Sequence, residues 1–173
     1  MNTKAISFLT AIAAVITLSS CQKEEGYEFK GAYSYKLSGT IVMVGEPLEE
    51  GSTSLAPDTI SLNLSSETGA MNIVSVSEGG FLVTLNPLLG DLSSFEAEIS
   101  GGKLIFKPTL RRFKADIDDS VSSSYYVFTL SGQGERLENL LYATFEAEGQ
   151  ITHLGRNYSV SESRIELVAT ANN

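Results

Sequence analysis

The chain has 173 residues, twelve Lys or Arg against 21 Asp or Glu, one His, one Cys and no Trp. An acidic surface repels phosphates, so this charge balance excludes a nucleic-acid partner. One cysteine excludes an internal disulfide, and one cysteine with one histidine excludes the usual zinc ligand sets.

Residues 1–20 have the three parts of a secretory signal. Lys4 supplies the positive start, and residues 5–18 form an apolar run broken only by Ser7, Thr10 and Thr17. That run is about fourteen residues, short of the roughly twenty a membrane-spanning helix needs. Leu18-Ser19-Ser20-Cys21 then reads as a lipobox. Cleavage before Cys21 exposes a thiol that carries diacylglycerol, and several acyl chains anchor firmly where a single chain binds reversibly. Cys21 is thus the expected lipidation site, which leaves no thiolate for metal binding or catalysis. Gln22-Lys23-Glu24-Glu25 follows directly. Together with the lipobox it resembles the surface-exposed lipoproteins of the Bacteroidetes type, in which a Lys or Gln and paired acids after the Cys act as an export signal. The resemblance implies an outer-membrane protein, lipid-anchored and facing the cell exterior, with the periplasmic face as the alternative. The expected organisation is a cleaved signal at 1–20, a lipidated Cys and tether at 21–29, and a single all-β domain at 30–173.

Past the tether, Tyr33, Tyr35, Leu37, Gly39, Ile41 and Met43 alternate with mostly polar neighbours. Period two over eleven residues predicts a long half-buried strand, with Gly39 marking a bulge or bend. Residues 46–58 read as a polar loop. Ile60, Leu62 and Leu64 predict a second, short strand. Residues 71–77 and 81–86 flank Gly79-Gly80 and predict a hairpin that Pro87 ends. Phe95, Ala97 and Ile99, then Gly101-Gly102, then Leu104 and Phe106 predict the clearest hairpin in the chain.

Residues 108–124 read as irregular and charged, and 125–131 as a strand, buried on two faces or carrying an aromatic surface. Residues 132–139 read as a turn, with one helical turn allowed by Leu137, Leu140 and Leu141. Leu141, Ala143, Phe145 and Ala147 predict another strand, residues 155–157 a turn, and residues 158–169 the last strand. Some nine short strands with Gly-marked turns predict an antiparallel barrel of eight or nine strands, or a two-sheet β-sandwich. In strand count, length and secretion the barrel resembles the calycin group, which includes the lipocalins. The Gly-x-Trp usual near the first lipocalin strand is missing, so the resemblance covers shape only.

Little in this pattern points to catalysis. His153 sits in Thr152-His153-Leu154-Gly155, which reads as an exposed hairpin tip, and no nucleophile-elbow glycines surround a serine. Asp116-Ile117-Asp118-Asp119 fails the calcium-loop pattern, since Val121 and Val127 stand where Gly and Glu are needed. Glu96, Glu98, Glu146 and Glu148 alternate with Phe and Ala, so they face solvent, where no carboxyl is pushed toward a general acid. No catalytic residue, metal ligand or cofactor is expected.

Two features suggest binding. Lys103, Lys107, Arg111, Arg112 and Lys114 concentrate positive charge in an acidic chain, with Phe106, Leu110 and Phe113 between them. They form a candidate site for an anion or an acidic partner. The plainer reading pairs them with Asp116, Asp118 and Asp119. Tyr125 and Tyr126 are candidates for stacking on a ligand, among tyrosines that also suit sheet packing. The first functional expectation is a non-enzymatic binding or accessory module that holds a glycan or an envelope protein. The second is a lipocalin-like carrier of a small apolar ligand, and the weakest is a glycan-active hydrolase. A barrel filled by its own side chains separates the first from the second. Small inward residues such as Gly39, Ala97, Ala143 and Ala147 would leave room.

Overall fold

The structure is a computed structural model that describes residues 26–47, 56–118 and 123–172. Among the described residues, a 3-10 turn at Tyr27–Phe29 is followed by strands alone. The strands are β1 Gly31–Gly45, β2 Thr59–Ser77, β3 Gly80–Pro87, β4 Ser93–Ser100, β5 Lys103–Ile117, β6 Ser123–Leu137, β7 Leu140–Glu148, β8 Gln150–His153 and β9 Arg156–Ala171. Every pairing is antiparallel. The order β1-β2-β3-β4-β5-β6-β7-β9 returns to β1, so an eight-strand ring of hydrogen bonds closes on itself in a barrel-like form. β8 pairs with β9 alone, as the bent continuation of β7. Closure pairs β1 with β9 from Tyr33↔Ala171 to Gly45↔Tyr158.

Alternation selects the interior. Tyr33, Tyr35, Leu37, Ile41 and Met43 of β1 point inward, as do Phe95 and Ala97 of β4, Leu141, Ala143, Phe145 and Ala147 of β7, and Ile165, Leu167 and Ala169 of β9. One continuous core results. Gly39 allows β1 and β9 to close: a Cβ there would lie 2.3 Å from the Arg164 carbonyl oxygen. The expected hairpins form where the paired glycines stand, with positive φ at Gly79, Gly101 and Gly102.

Three expectations needed correction. Residues 60–64 and 71–77 are one strand, β2, rather than two. Residues 108–117 belong to β5 instead of a charged irregular segment. β6 runs on to Leu137, so the turn is only residues 138–139 and no helical turn occurs there. The first two errors share a cause. In β2 the inward set is Ile60, Leu62 and Leu64, then Met71 and Ile73. The parity changes because β2 slips one residue against β1, between Leu37↔Glu67 and Gly39↔Leu64. In β5 the inward set is Leu104 and Phe106, then Arg111, Phe113 and Ala115, with a register shift against β6 between Phe106 and Thr109. Pro108 sits at that shift, where its missing N–H is tolerated. A bulge hides a strand from a reading based on period two, because the apolar positions change sides.

The two bulges stand at a fork. β2 pairs with β5 at Leu62↔Ile117 through Leu64↔Ala115, then leaves it to pair with β3 from Gly69↔Pro87 onward. The short β3–β4 hairpin fills the gap that opens between them. The Leu88 N–H, just past its tip, donates to the Thr68 carbonyl at 2.9 Å.

The interior holds large side chains in contact. Phe95, Phe106 and Phe145 form a triangle with ring centroids 4.9 to 5.8 Å apart. Ala97, Ala143 and Ala147 do point inward, into the same continuous core as these rings. Phe145→Ala is expected to lower the unfolding free energy by about 3–5 kcal/mol, the range for emptying a buried Phe site. Leu110→Ala, on the exposed face of β5, is expected to change it by less than about 0.5 kcal/mol. Urea unfolding of the two variants checks the contrast.

Candidate functional site

The five bases of residues 103–114 do not form one patch. Before the Pro108 bulge, Lys103 and Lys107 point outward, and after it Arg112 and Lys114 do so while Arg111 points in. The partners also differ from the nearby aspartates that sequence proximity suggests. Lys103 meets Glu135 at 2.5 Å, Lys107 meets Glu98 at 3.6 Å and Arg112 meets Asp91 at 3.5 Å. Asp118 instead accepts a hydrogen bond from the Ser61 N–H at 2.8 Å, and Asp119 lies outside the described residues.

Arg111 is 4% exposed and pairs with Glu67, itself turned inward by the β2 bulge. The Tyr35 hydroxyl donates to the same carboxylate oxygen at 2.5 Å. The guanidinium lies over the rings of Phe113 at 5.1 Å and Phe95 at 5.9 Å. Its Nη1 has no hydrogen-bond partner among the described residues. The arrangement seals the fork, since two charges that would each be costly to bury neutralise one another. Burial, and then the hydrogen bond and charge of Glu67, push the Tyr35 hydroxyl above the ordinary tyrosine range, while Arg111 pulls the other way. A phenol held neutral and engaged in this way is structural.

The outer wall of β5 and β6 differs. Across it Leu110 faces Thr129, Arg112 faces Val127 and Lys114 faces Tyr125. Leu110 is 73% exposed, Tyr125 59% and Val127 52%. The Arg112 guanidinium stacks 4.0 Å above the Tyr125 ring. Its Asp91 partner lies in the β3–β4 connection, where Leu88, Leu89 and Leu92 are also exposed. Both ends of that ion pair are solvated, so it holds weakly, at about 0–1 kcal/mol. Lys114 takes part in no ion pair found among the described residues. The result is an apolar face carrying two accessible cations on an acidic chain. Tyr126, the other stacking candidate, turns inward and packs half-buried against the core. Arg112 and Tyr125 were both foreseeable as candidates. Their meeting was not, because it depends on the β5–β6 register.

Elsewhere the chemistry is sparse. Glu96, Glu98, Glu146 and Glu148 are exposed on the outer surface. His153 is half-buried rather than exposed, its ring 6.4 Å from Tyr158, because β8 leans back onto β9. Among the described residues no group of three acids, histidines or cysteines could hold a metal ion. Cys21 lies outside the described residues. An open cleft of about 670 Å³ beside the start of β1 is lined by Tyr27, Glu28, Lys30, Gly31, Arg136 and Glu138. Its Arg136 is already committed to the Glu138 carbonyl at 2.8 Å and the Tyr33 hydroxyl at 3.1 Å.

Removing one member of the buried pair leaves the other charge uncompensated. Glu67→Ala is expected to cost about 3 kcal/mol, and the double change Glu67→Leu with Arg111→Met to recover most of it. Tyr35 adds a pH signature. Its pKa lies above the unfolded value, near 10.0, so its contribution is complete below pH 10 and is lost as the pH rises further. Above pH 10 the stability of the native chain should therefore fall more steeply than that of Tyr35→Phe. Urea midpoints measured between neutral pH and pH 11 check this.

No family model matches the chain, and no curated protein matches it.

Proposed function

We propose that the chain is a non-enzymatic, lipid-anchored module of the bacterial outer membrane, displayed at the cell surface, that holds an acidic envelope protein against its β5–β6 wall. The observation that carries this reading is the Arg112–Tyr125 stack at 4.0 Å, set beside Lys114, Leu110 and Val127 on an exposed face. Interaction surfaces favour aromatic residues and Arg, and a cationic face on a chain of net charge −9 selects acidic partners. The lipobox at Leu18-Ser19-Ser20-Cys21 and the acidic residues after it supply the address. The solvent-facing carboxylates weigh against hydrolysis, since none is buried against another in a cleft. The Phe95–Phe106–Phe145 triangle, three rings packed against one another in the core, weighs against a carrier.

The test places a photo-crosslinking residue at Leu110 in the full chain, expressed in its host. The expected result is cross-linking to a discrete envelope protein, lost in Arg112→Glu with Lys114→Glu while folding and membrane fractionation are unchanged. Cys21→Ala should move the chain from the membrane to the soluble fraction. A bound small apolar molecule seen by native mass spectrometry, and retained in the double variant, would overturn the reading in favour of a carrier. Cross-links identical in the native chain and the double variant would remove the wall from it.

A further inference from the structure

The ring of strands has a break in its wall at one end. β6 pairs with β5 from its first residue, with the register running from Asp116↔Ser123 to Leu104↔Gly134. Its pairing with β7 begins only at Thr129↔Glu148. At Gly149 the chain turns away, and β8 continues along β9 without pairing to β6. Gly149 marks the point of departure, where a Cβ would lie 2.9 Å from Phe128 Cδ1. Among the described residues, 123–127 therefore pair with β5 and with no second strand. Alternate residues of a strand direct their N–H and C=O groups to opposite neighbours, so part of this backbone has no strand to bond.

Free edges are normally blunted by Lys, Pro, a bulge or a covering segment. Ser123, Ser124, Tyr125, Tyr126 and Val127 include no charge and no Pro, and their pairing with β5 is regular. Ser123, Ser124, Tyr125 and Val127 are all exposed. The charge stands one strand away. Arg112 lies across from Val127 but leans over Tyr125, which brings its guanidinium onto β6 itself.

We propose that residues 123–127 accept an extended segment of a partner protein as an added β-strand, with acidic side chains on the segment's outward face meeting Arg112 and Lys114. This inference rests on the reading of the chain as an envelope-partner module and adds the mode of binding. Main-chain hydrogen bonds supply affinity in strand addition, and alternate side chains supply selectivity. On that face Tyr125 and Val127 meet the aliphatic stems of the acids, while the segment's alternate side chains fall on the side of half-buried Tyr126. The Asp91 carboxylate, 80% exposed, is displaced by the incoming acids.

The probe is an acetylated, amidated peptide, Thr-Glu-Val-Glu-Val-Glu-Thr, titrated into the isotope-labelled domain and followed by backbone amide NMR. The expected result is saturable shifts at residues 123–127, together with intermolecular contacts from the peptide backbone to β6. Replacing the glutamates by lysines should weaken binding at least about tenfold, and so should N-methylation of both valines, which removes donors while keeping side chains. Absence of saturable binding, equal binding of the N-methylated peptide, or shifts mapping elsewhere would overturn the proposal. So would binding of an acidic oligosaccharide at the same residues in preference to the peptide, or self-association of the free domain through β6, seen by sedimentation. The two readings fail separately. Cross-linking at Leu110 that needs Arg112 and Lys114 but persists when residues 123–127 do not take up the peptide would sink strand addition and leave the envelope role standing.

Discussion

The closure of the sheet between β1 and β9 is the constraint on which the rest depends. A two-ended sheet would leave both strands as long unpaired edges, whereas closure gives each a second partner. Closure also fixes the interior, because each strand must then keep one face inward along its length. Where the sheet cannot do this with regular strands, it uses bulges. The parity changes in β2 and β5 compensate the fork between them, and the charged pair Arg111–Glu67 fills the place where neither strand can offer an apolar side chain. A second buried arginine works at the end of the ring where β1 stops and β2 and β9 begin. Arg156 donates to the Glu46 carbonyl at 2.9 Å, to the Pro57 carbonyl at 3.0 Å and to Asp58 at 2.8 Å, tying the start of β9 to both ends of the β1–β2 connection.

The same closure encloses an interior in which the rings of Phe95, Phe106 and Phe145 meet, and the proposed binding lies on the outer wall. Exposed apolar residues also stand elsewhere, as Tyr142 and Val168 do on β7 and β9, but the β5–β6 wall sets Leu110, Tyr125 and Val127 beside two accessible cations. Next to that wall, the departure of β8 from β6 exposes backbone. An apolar face, a charge preference and an unpaired edge thus occur together at one place in the fold.

Much of the architecture was legible in the sequence. Alternation found β1, the two glycine hairpins, β7 and β9, because one face of each is uniformly apolar. It broke down at residues 65–70 and 108–117, where an extra residue moves the apolar set to the other side. A signal was present: Leu104 and Phe106 share one parity and Phe113 and Ala115 the other, with Pro108 between them. Reading that change as a bulge would have placed Arg111 inside and separated it from Lys103, Lys107, Arg112 and Lys114. Its partner Glu67 was less accessible, since it stands 44 positions earlier and only the fork brings them together. The exposed Tyr125 and the half-buried Tyr126 are adjacent and chemically alike, and only the register against β5 tells them apart.

The most direct measurement is amide hydrogen exchange of the free domain, residue by residue along β6. The account predicts alternation across residues 123–127: amides directed at β5 exchange slowly, and those directed at the open side exchange at nearly the rate of exposed peptide. From residue 129 onward, where β7 is present, protection should become continuous. Uniformly slow exchange from 123 to 137 would mean that the edge is already covered. It would contradict the claim that the wall is open there.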